Sequence, residues 1–464
     1  MPTVAESCAR FAARLRWDDI PPEVRQAAKL HLLDALGCGI AAHGTDAATE
    51  CRTVVEELGG IAEASVIGGT RLPAASAALA NGTLCQALDF DDTHTEAGCH
   101  VSAVIGPVVL AEAEACGADG RELLTAFVVG SEISTRVGIA VIPGLETRGL
   151  HATPICGIFG GVAACGRLLG DRHRVIVHAL GVAGSMASGI SATIEDGSQT
   201  KPIHSGWAAH AAVLAARLAR RGATGPSGVF EGRFGILQAL LDGEFARDLG
   251  RQVEDLGERW ETLNIAFKPY PACHYIHACL EAVEALRKRR DIQIAQIEAI
   301  AAQVPEPVIP FVVEPIESKV APRTPYDAKF SLPYSVAAML VHGRVDLSTY
   351  TEVALRDEAV RALARRVRYE AREFPTYPAS FPGAIRLIGR LGEVGAAEVV
   401  YQRGSARNPV SETEIREKFR RNASLGIAAD SVSELENAIL ELDRGTDVAA
   451  ALAPVRSASA ELSL

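Results

Sequence analysis

Ile294-Ala295-Gln296-Ile297-Glu298-Ala299-Ile300, running on to Val304-Pro305-Glu306-Pro307, is where the sequence stops reading as helix and starts reading as strand. Isoleucines spaced along a short run that ends in prolines suit an extended segment. Val367-Arg368-Tyr369-Glu370 and Ala384-Ile385-Arg386-Leu387-Ile388 add two alternating candidates, with helical patterns at 273–287 and 329–341 among them. Strands and helices mixed without a regular βαβ rhythm indicate an α+β unit.

Upstream of Asn264 the texture is different. Pro21-Pro22-Glu23-Val24 opens a helix, with proline in the first turn and an acid near the positive end of the dipole, and Ala27, Leu30, Leu33 and Leu36 continue it. Helical periodicity recurs at 74–88, 101–115, 120–137, 154–169, 173–188 and 204–220, so the first half is expected to be all-helical. Past Asn408-Pro409-Val410-Ser411 the pattern is helical again at 412–422 and 431–442, the first opened by Ser411 and Glu414 at capping-box spacing. The expected fold class is mostly α with a smaller α+β domain. The expected segments are 1–264 helical, 265–408 α+β, and 409–464 returning to the helical part.

The composition supports a packed core: 48% of residues are hydrophobic, 42 are glycine and 5% are aromatic, so burial rests on aliphatic and small side chains. That is a folded, enzyme-like balance rather than a disordered one. A net charge of -11, with one short basic run at 287–290, gives no reason to expect nucleic acid or an anionic membrane as partner. The uncharged stretches 149–166 and 175–194 approach membrane-span length, but His151, Pro154, His178 and several Gly and Ser mark them as buried helices. Met1-Pro2-Thr3-Val4-Ala5-Glu6 lacks the basic-then-apolar pattern of a secretory leader, and the ten cysteines form no Cys-x-x-Cys pair. A reducing cytoplasm is the expected setting.

Nucleotide-binding loops are not in view: there is no Gly-x-x-x-x-Gly-Lys-Ser/Thr, and Gly157-Ile158-Phe159-Gly160-Gly161 falls inside an apolar helix where packing explains it. The densest polar cluster is Asp89-Phe90-Asp91-Asp92-Thr93-His94-Thr95-Glu96, with His100 close behind, between two apolar helices. It suits a divalent metal site, a capping and structural loop, or metal-free acid/base chemistry. Elsewhere lysines, histidines and a tyrosine collect near element ends: Gly149-Leu150-His151, Gln199-Thr200-Lys201-Pro202-Ile203-His204, Phe267-Lys268-Pro269-Tyr270-Pro271-Ala272-Cys273-His274 and Lys329-Phe330-Ser331-Leu332-Pro333-Tyr334. Each alone reads as structural, whereas several together suit a polyanionic carboxylate.

In this order these segments resemble the MmgE/PrpD family, over nearly the whole chain. Asn81-Gly82 to Thr93, His100 to Pro107, the four segments above, Gly404 to Pro409 and Lys418-Phe419 carry the resemblance. It implies a large helical domain formed from both chain ends, a lid domain inserted between them, and a homodimer. It also implies no metal and no organic cofactor. Members include 2-methylcitrate dehydratase, cis-aconitate decarboxylase and iminodisuccinate epimerase, whose shared chemistry is proton movement at a carbon beside a carboxylate. Matching to the decarboxylase branch implies catalytic roles for His100, His151, Lys268 and Tyr334, and substrate binding by Asp89, Thr93 and Lys201, with Lys329 a further carboxylate ligand or a solvent-facing residue. Two departures weaken transfer of any one member's substrate. Ala328-Lys329-Phe330-Ser331 lacks the Asp-His of the dehydratases, and the loop from Thr93 to His100 is longer than in the animal decarboxylase, with Glu96 and Cys99 in place of a proline-containing stretch.

Three readings follow. The first is a metal-independent lyase, dehydratase or decarboxylase, acting on a small di- or tricarboxylic acid. The second is an isomerase or epimerase of a small dicarboxylate. The third is a non-catalytic carboxylate-binding or scaffold protein, which has no chemical need for so many titratable groups together.

Overall fold

A computed structural model describes residues 2–243, 246–289 and 293–459, so Arg290 of the basic run lies outside the described residues. Helix accounts for 59% and strand for 10%, which makes the fold mostly α with a small sheet. The longer helices are α1 (Val4–Arg14), α2 (Pro22–Ala41), α3 (Asp46–Leu58), α4 (Ala74–Ala87), α5 (Ser102–Cys116), α6 (Gly120–Val141), α7 (Ala152–Leu168), α8 (His173–Ala183) and α9 (Thr200–Arg220). They are followed by α10 (His277–Arg289), α11 (Leu332–His342), α12 (Glu412–Ala423) and α13 (Ala429–Leu440).

The first half is not purely helical, as the sequence suggested. Two-residue strands β1 (Ala64–Ser65) and β2 (Arg71–Leu72) pair with each other, and β3 (Thr93–His94) pairs antiparallel with β4 (Ile265–Ala266). The second pairing ties the acidic segment to the chain just before Lys268. The larger sheet takes β5 (Ile297–Val304), β6 (Val367–Ala371), β7 (Gly383–Gly389) and β8 (Gly392–Val399) in the order β6-β5-β7-β8. β5 runs parallel to β6 and antiparallel to β7, with Ile300 opposite both Val367 and Leu387.

Buried apolar side chains fall into two clusters. One draws on Val4 to Ile265 and again on Phe419 to Ala458; the other draws on Tyr270 to Leu387. α6 is long and apolar enough to cross a membrane, but 94% of its apolar window is buried inside the protein. α7, within one of the uncharged stretches, is likewise buried from Ala152 to Gly166.

Small residues set the helix spacing around the site. A Cβ on Gly160 in α7 would lie 2.3 Å from the Gly130 oxygen of α6, so the glycine run serves close helix packing. A Cβ on Gly82 in α4 would lie 2.8 Å from the Gly206 Cα of α9. That second approach holds Lys201, in the first turn of α9, against the segment that follows α4.

Candidate active site

Three helices begin at basic residues. His100 stands two residues ahead of α5, His151 is the N-cap position of α7, and Lys201 is the second residue of α9. Neither His151 nor Gln199, the residue before α9, gives its helix a side-chain cap. Uncapped N–H groups and the positive end of the helix dipole favour an anion there. The sequence placed the start of α9 at His204. The four extra residues bring Lys201 and His204 onto one face, three positions apart.

The acidic segment after α4 is held at each residue from Asp89 to Asp92. Asp89 adopts φ 50°, a left-handed conformation that Asp tolerates better than most residues. Lys201 Nζ donates to Asp89 Oδ1 at 2.5 Å, and Lys268 Nζ donates to Asp89 Oδ2 at 3.2 Å and to its carbonyl at 3.0 Å. Lys418 of α12 donates to Phe90 O at 2.7 Å and pairs with Asp34 at 2.8 Å, carrying the C-terminal helices to the same segment. Asp91 Oδ2 lies 2.9 Å from His100 Nδ1. Asp92 accepts from the Ser102 amide at 3.0 Å and also from its hydroxyl, which caps the start of α5. The loop is therefore capping, ion pair and imidazole partner at once.

A cavity of about 690 Å³, measured out to its mouth, meets these groups; Asp89, Thr93, His100, His151 and Lys201 line it. The His100 and His151 rings are 6.3 Å apart, and His151 Nδ1 lies 3.1 Å from His204 Nδ1. Lys201 Nζ lies 3.3 Å from His100 Nε2, so Asp91 and Lys201 bracket the imidazole. Thr93 Oγ1 and both ring nitrogens of His274 are buried without a hydrogen-bond partner while their residues line the cavity. Buried polar atoms of that kind are costly unless something meets them.

Charge and burial set the protonation states. Burial alone would raise the Asp89 carboxyl, but Lys201 and Lys268 outweigh it and hold it well below the usual carboxylate range. Burial lowers His100, helped by Lys201 and Lys268 and opposed by Asp91. Burial, then Lys201 and neighbouring imidazoles, pushes His151 well below its ordinary value, and burial with Lys201 brings His204 down to about 4. The imidazoles facing the cavity are thus all pushed towards their neutral form.

Asp89, Asp91 and His100 present oxygen and nitrogen atoms within 4.8 Å of one another, which is close enough for a cation. The Lys201 ammonium already stands between Asp89 and His100, and Lys268 sits on the other Asp89 oxygen. Two ammonium groups repel a dication, so this donor set suits lysine better than metal.

Three of the expected site residues do not line this cavity. Lys268 is buried beneath Asp89 and acts on it rather than on a ligand. Tyr334 donates its hydroxyl to Thr349 O at 2.8 Å and belongs to the second apolar cluster, because Ser331 caps α11 at the Tyr334 amide and turns the helix into that core. Lys329 is buried, donating to Pro271 O at 3.0 Å with its ammonium 4.7 Å from the Tyr350 ring centre, so it neither reaches this cavity nor faces solvent. In their place His204, His274 and Tyr275 line the cavity, and Asp91 stands behind His100. His204 was accessible from helical spacing once α9 began at Thr200. His274 also stood among the histidines at element ends, whereas Tyr275 was not read, since only long-range packing brings it to this cavity.

The helical scaffold gathers helix starts, paired lysine and aspartate, and imidazoles around one cavity, an arrangement whose electrostatics suit an anion. The chain belongs to the MmgE/PrpD family: the family's N-terminal domain matches residues 6–248 and its C-terminal domain residues 270–444. It is 30% identical to a cis-aconitate decarboxylase-like protein of Aspergillus oryzae, over 97% of this chain and 96% of that one. It is 28% identical to a cis-aconitate decarboxylase of Aspergillus terreus, over 96% and 94% of the two chains. With the mouse cis-aconitate decarboxylase it shares 28% identity over 95% and 91%.

Proposed function

We propose that the protein is an enzyme, a metal-independent lyase of the decarboxylase type acting on a small carboxylic acid. The observation that carries this reading is the Asp91–His100–Lys201–Asp89 chain of contacts opening on one cavity. The names of the relatives, which align over nearly the full length, support decarboxylation over dehydration. A scaffold protein gains nothing from burying two lysines and two aspartates at such cost.

In this reading Lys201 takes a substrate carboxylate, assisted by the uncapped starts of α7 and α9. Loss of CO₂ breaks the bond between a carboxylate carbon and its neighbour. The electron pair left behind spreads through an adjacent double bond onto a remaining carboxylate, where Lys201 stabilises it. A proton delivered to carbon completes the product. Asp91 accepts Nδ1–H of His100 and so keeps Nε2 for this exchange. A bound carboxylate offsets the Lys201 charge that depresses His100, which lets the imidazole take up the proton it delivers.

An epimerase is the second reading, favoured by His151 across the cavity from His100, since inversion needs a base on each face of one carbon. With the lyase reading go three further proposals. Residues 265–408 form a lid over a helical domain built from both chain ends, which the two apolar clusters support. The protein works as a homodimer, as the family resemblance implies. Its setting is a reducing cytoplasm, which suits ten free cysteines, eight of them buried.

A panel of small di- and tricarboxylates, including cis-aconitate, followed by NMR in deuterated water tests the reading. The expected result is release of CO₂ with one deuterium at the product carbon. Exchange with inversion at unchanged formula moves the assignment to the epimerase; neither exchange nor elimination across the panel refutes both.

A further inference from the structure

The cavity that meets His100, His151 and Lys201 is lined by apolar as well as polar side chains. Its apolar wall residues include Leu150, Ile190, Ile194, Phe311 and Phe381, and the Tyr275 ring packs against those of Phe311 and Phe381 with centres 5.8 and 4.6 Å apart. Ile190 lines the cavity and is still 60% exposed, which places it on the rim. A wholly polar ligand would leave this wall wet, and aromatic walls of this kind usually meet apolar parts of a ligand.

Charge points the same way. Among the lining residues Lys201 is the one lysine, there is no arginine, and two carboxylates are present, Asp89 and Glu146. Lys201 is shared with Asp89, and Glu146 accepts from Tyr275 at 2.8 Å while burial raises its carboxyl. Three carboxylates entering together would find one ammonium beside two acids, and an unmatched carboxylate leaves water at high cost.

We infer that the substrate carries two carboxylates, one of them on Lys201, and an apolar substituent, alkyl or aryl, laid along the Phe311–Tyr275–Phe381 wall towards Ile190. This rests on the lyase reading for the carboxylate on Lys201. It assigns specificity to residues outside the proton-transfer machinery. The substituent leaves by the rim, so its length is limited by the wall and not by a closed floor.

The test separates binding from turnover. Isothermal titration with 2-alkylsuccinates from 2-methyl to 2-heptyl is expected to show affinity rising about 4-fold per methylene until the chain passes the rim, then levelling. The heat-capacity change becomes more negative over the same range. Phe311→Ser should flatten the series, and Ile190→Asp, on the exposed rim and safe for folding, should bring the plateau to shorter chains. A flat wild-type series, no binding by any member, or a gradient untouched by both variants overturns the inference. A flat series in a protein that decarboxylates unsubstituted acids sinks the apolar arm alone; a gradient without turnover sinks the lyase reading alone.

Discussion

Lys268→Met is the most informative single change, because Lys268 does not line the cavity that meets His100 and still governs Asp89. Its ammonium is 1% exposed and stands 3.2 Å from the Asp89 carboxylate. At an effective dielectric of about 20 the attraction at that separation is roughly 5 kcal/mol. Breaking a buried pair costs about 3–5 kcal/mol, and the lower end applies here because Lys201 remains on the other oxygen. A chain of 464 residues, at about 2 cal/mol/K of unfolding entropy per residue, loses roughly 3 °C of Tm for 3 kcal/mol. Differential scanning calorimetry reads that shift directly. Asp89→Asn should cost a similar amount, Asn being able to keep the left-handed backbone. The double variant should be less destabilised than the sum by about 2 kcal/mol, since neither charge is then left without its partner. A Tm within 1 °C of the parent for Lys268→Met, or strict additivity, would show that the pair does not hold Asp89 and that Lys268 needs another role.

Asp91→Asn should lower kcat by roughly 10²–10⁴ with KM nearly unchanged, because the amide no longer fixes the His100 tautomer; steady-state kinetics at several pH values check it, and an unaltered kcat removes Asp91 from the mechanism. Lys201→Ala should lower kcat/KM by roughly 10- to 100-fold, the worth of a charge-assisted contact, and a variant with parental kcat/KM rejects it as the carboxylate ligand. Burial, with Lys268 adding and Asp89 opposing, brings Lys329 down to about 7. The folded chain then binds fewer protons there than the unfolded one between pH 7 and about 10.5, so this group's contribution rises with pH through that window and is lost as pH falls to 7. Denaturant unfolding at pH 7 and 9.5 should show wild type gaining on the order of 3 kcal/mol relative to Lys329→Met; parallel pH profiles would mean that Lys329 is not buried as described. Activity should survive exhaustive chelation, and reversible loss restored by a divalent cation would return Asp89, Asp91 and His100 to a metal site.

How far these assignments could be read from sequence depended on distance along the chain. The Ser411/Glu414 capping box opens α12 as its spacing required, and 297–304, 367–370 and 384–388 are strands of one sheet, while Ile294–Gln296 forms a 3-10 turn ahead of the first. β8 escaped notice because Gly392, Gly395, Ala396 and Ala397 carry little strand preference; it forms by continuing the β7 hairpin. α1 and α3, short and partly exposed, also went unread. At the site, Asp89, His100, His151 and Lys201 were legible because each lies at or near the end of a helix whose period shows in the sequence, and Thr93 because it belongs to the polar cluster between two of them. Tyr334 lies away from this cavity for the converse reason: the same Ser-x-x-Tyr spacing that marks it also builds a helix cap, and that helix carries Tyr334 into the second core. Motif spacing fixes which residues lie near a helix start, whereas the side a residue faces is decided by what packs against it. The residues that distinguish this cavity, Tyr275, Phe311 and Phe381, come from three separated segments with no shared period. Substrate choice is therefore written in contacts that only the folded chain assembles, and the acid/base groups are written in the local sequence.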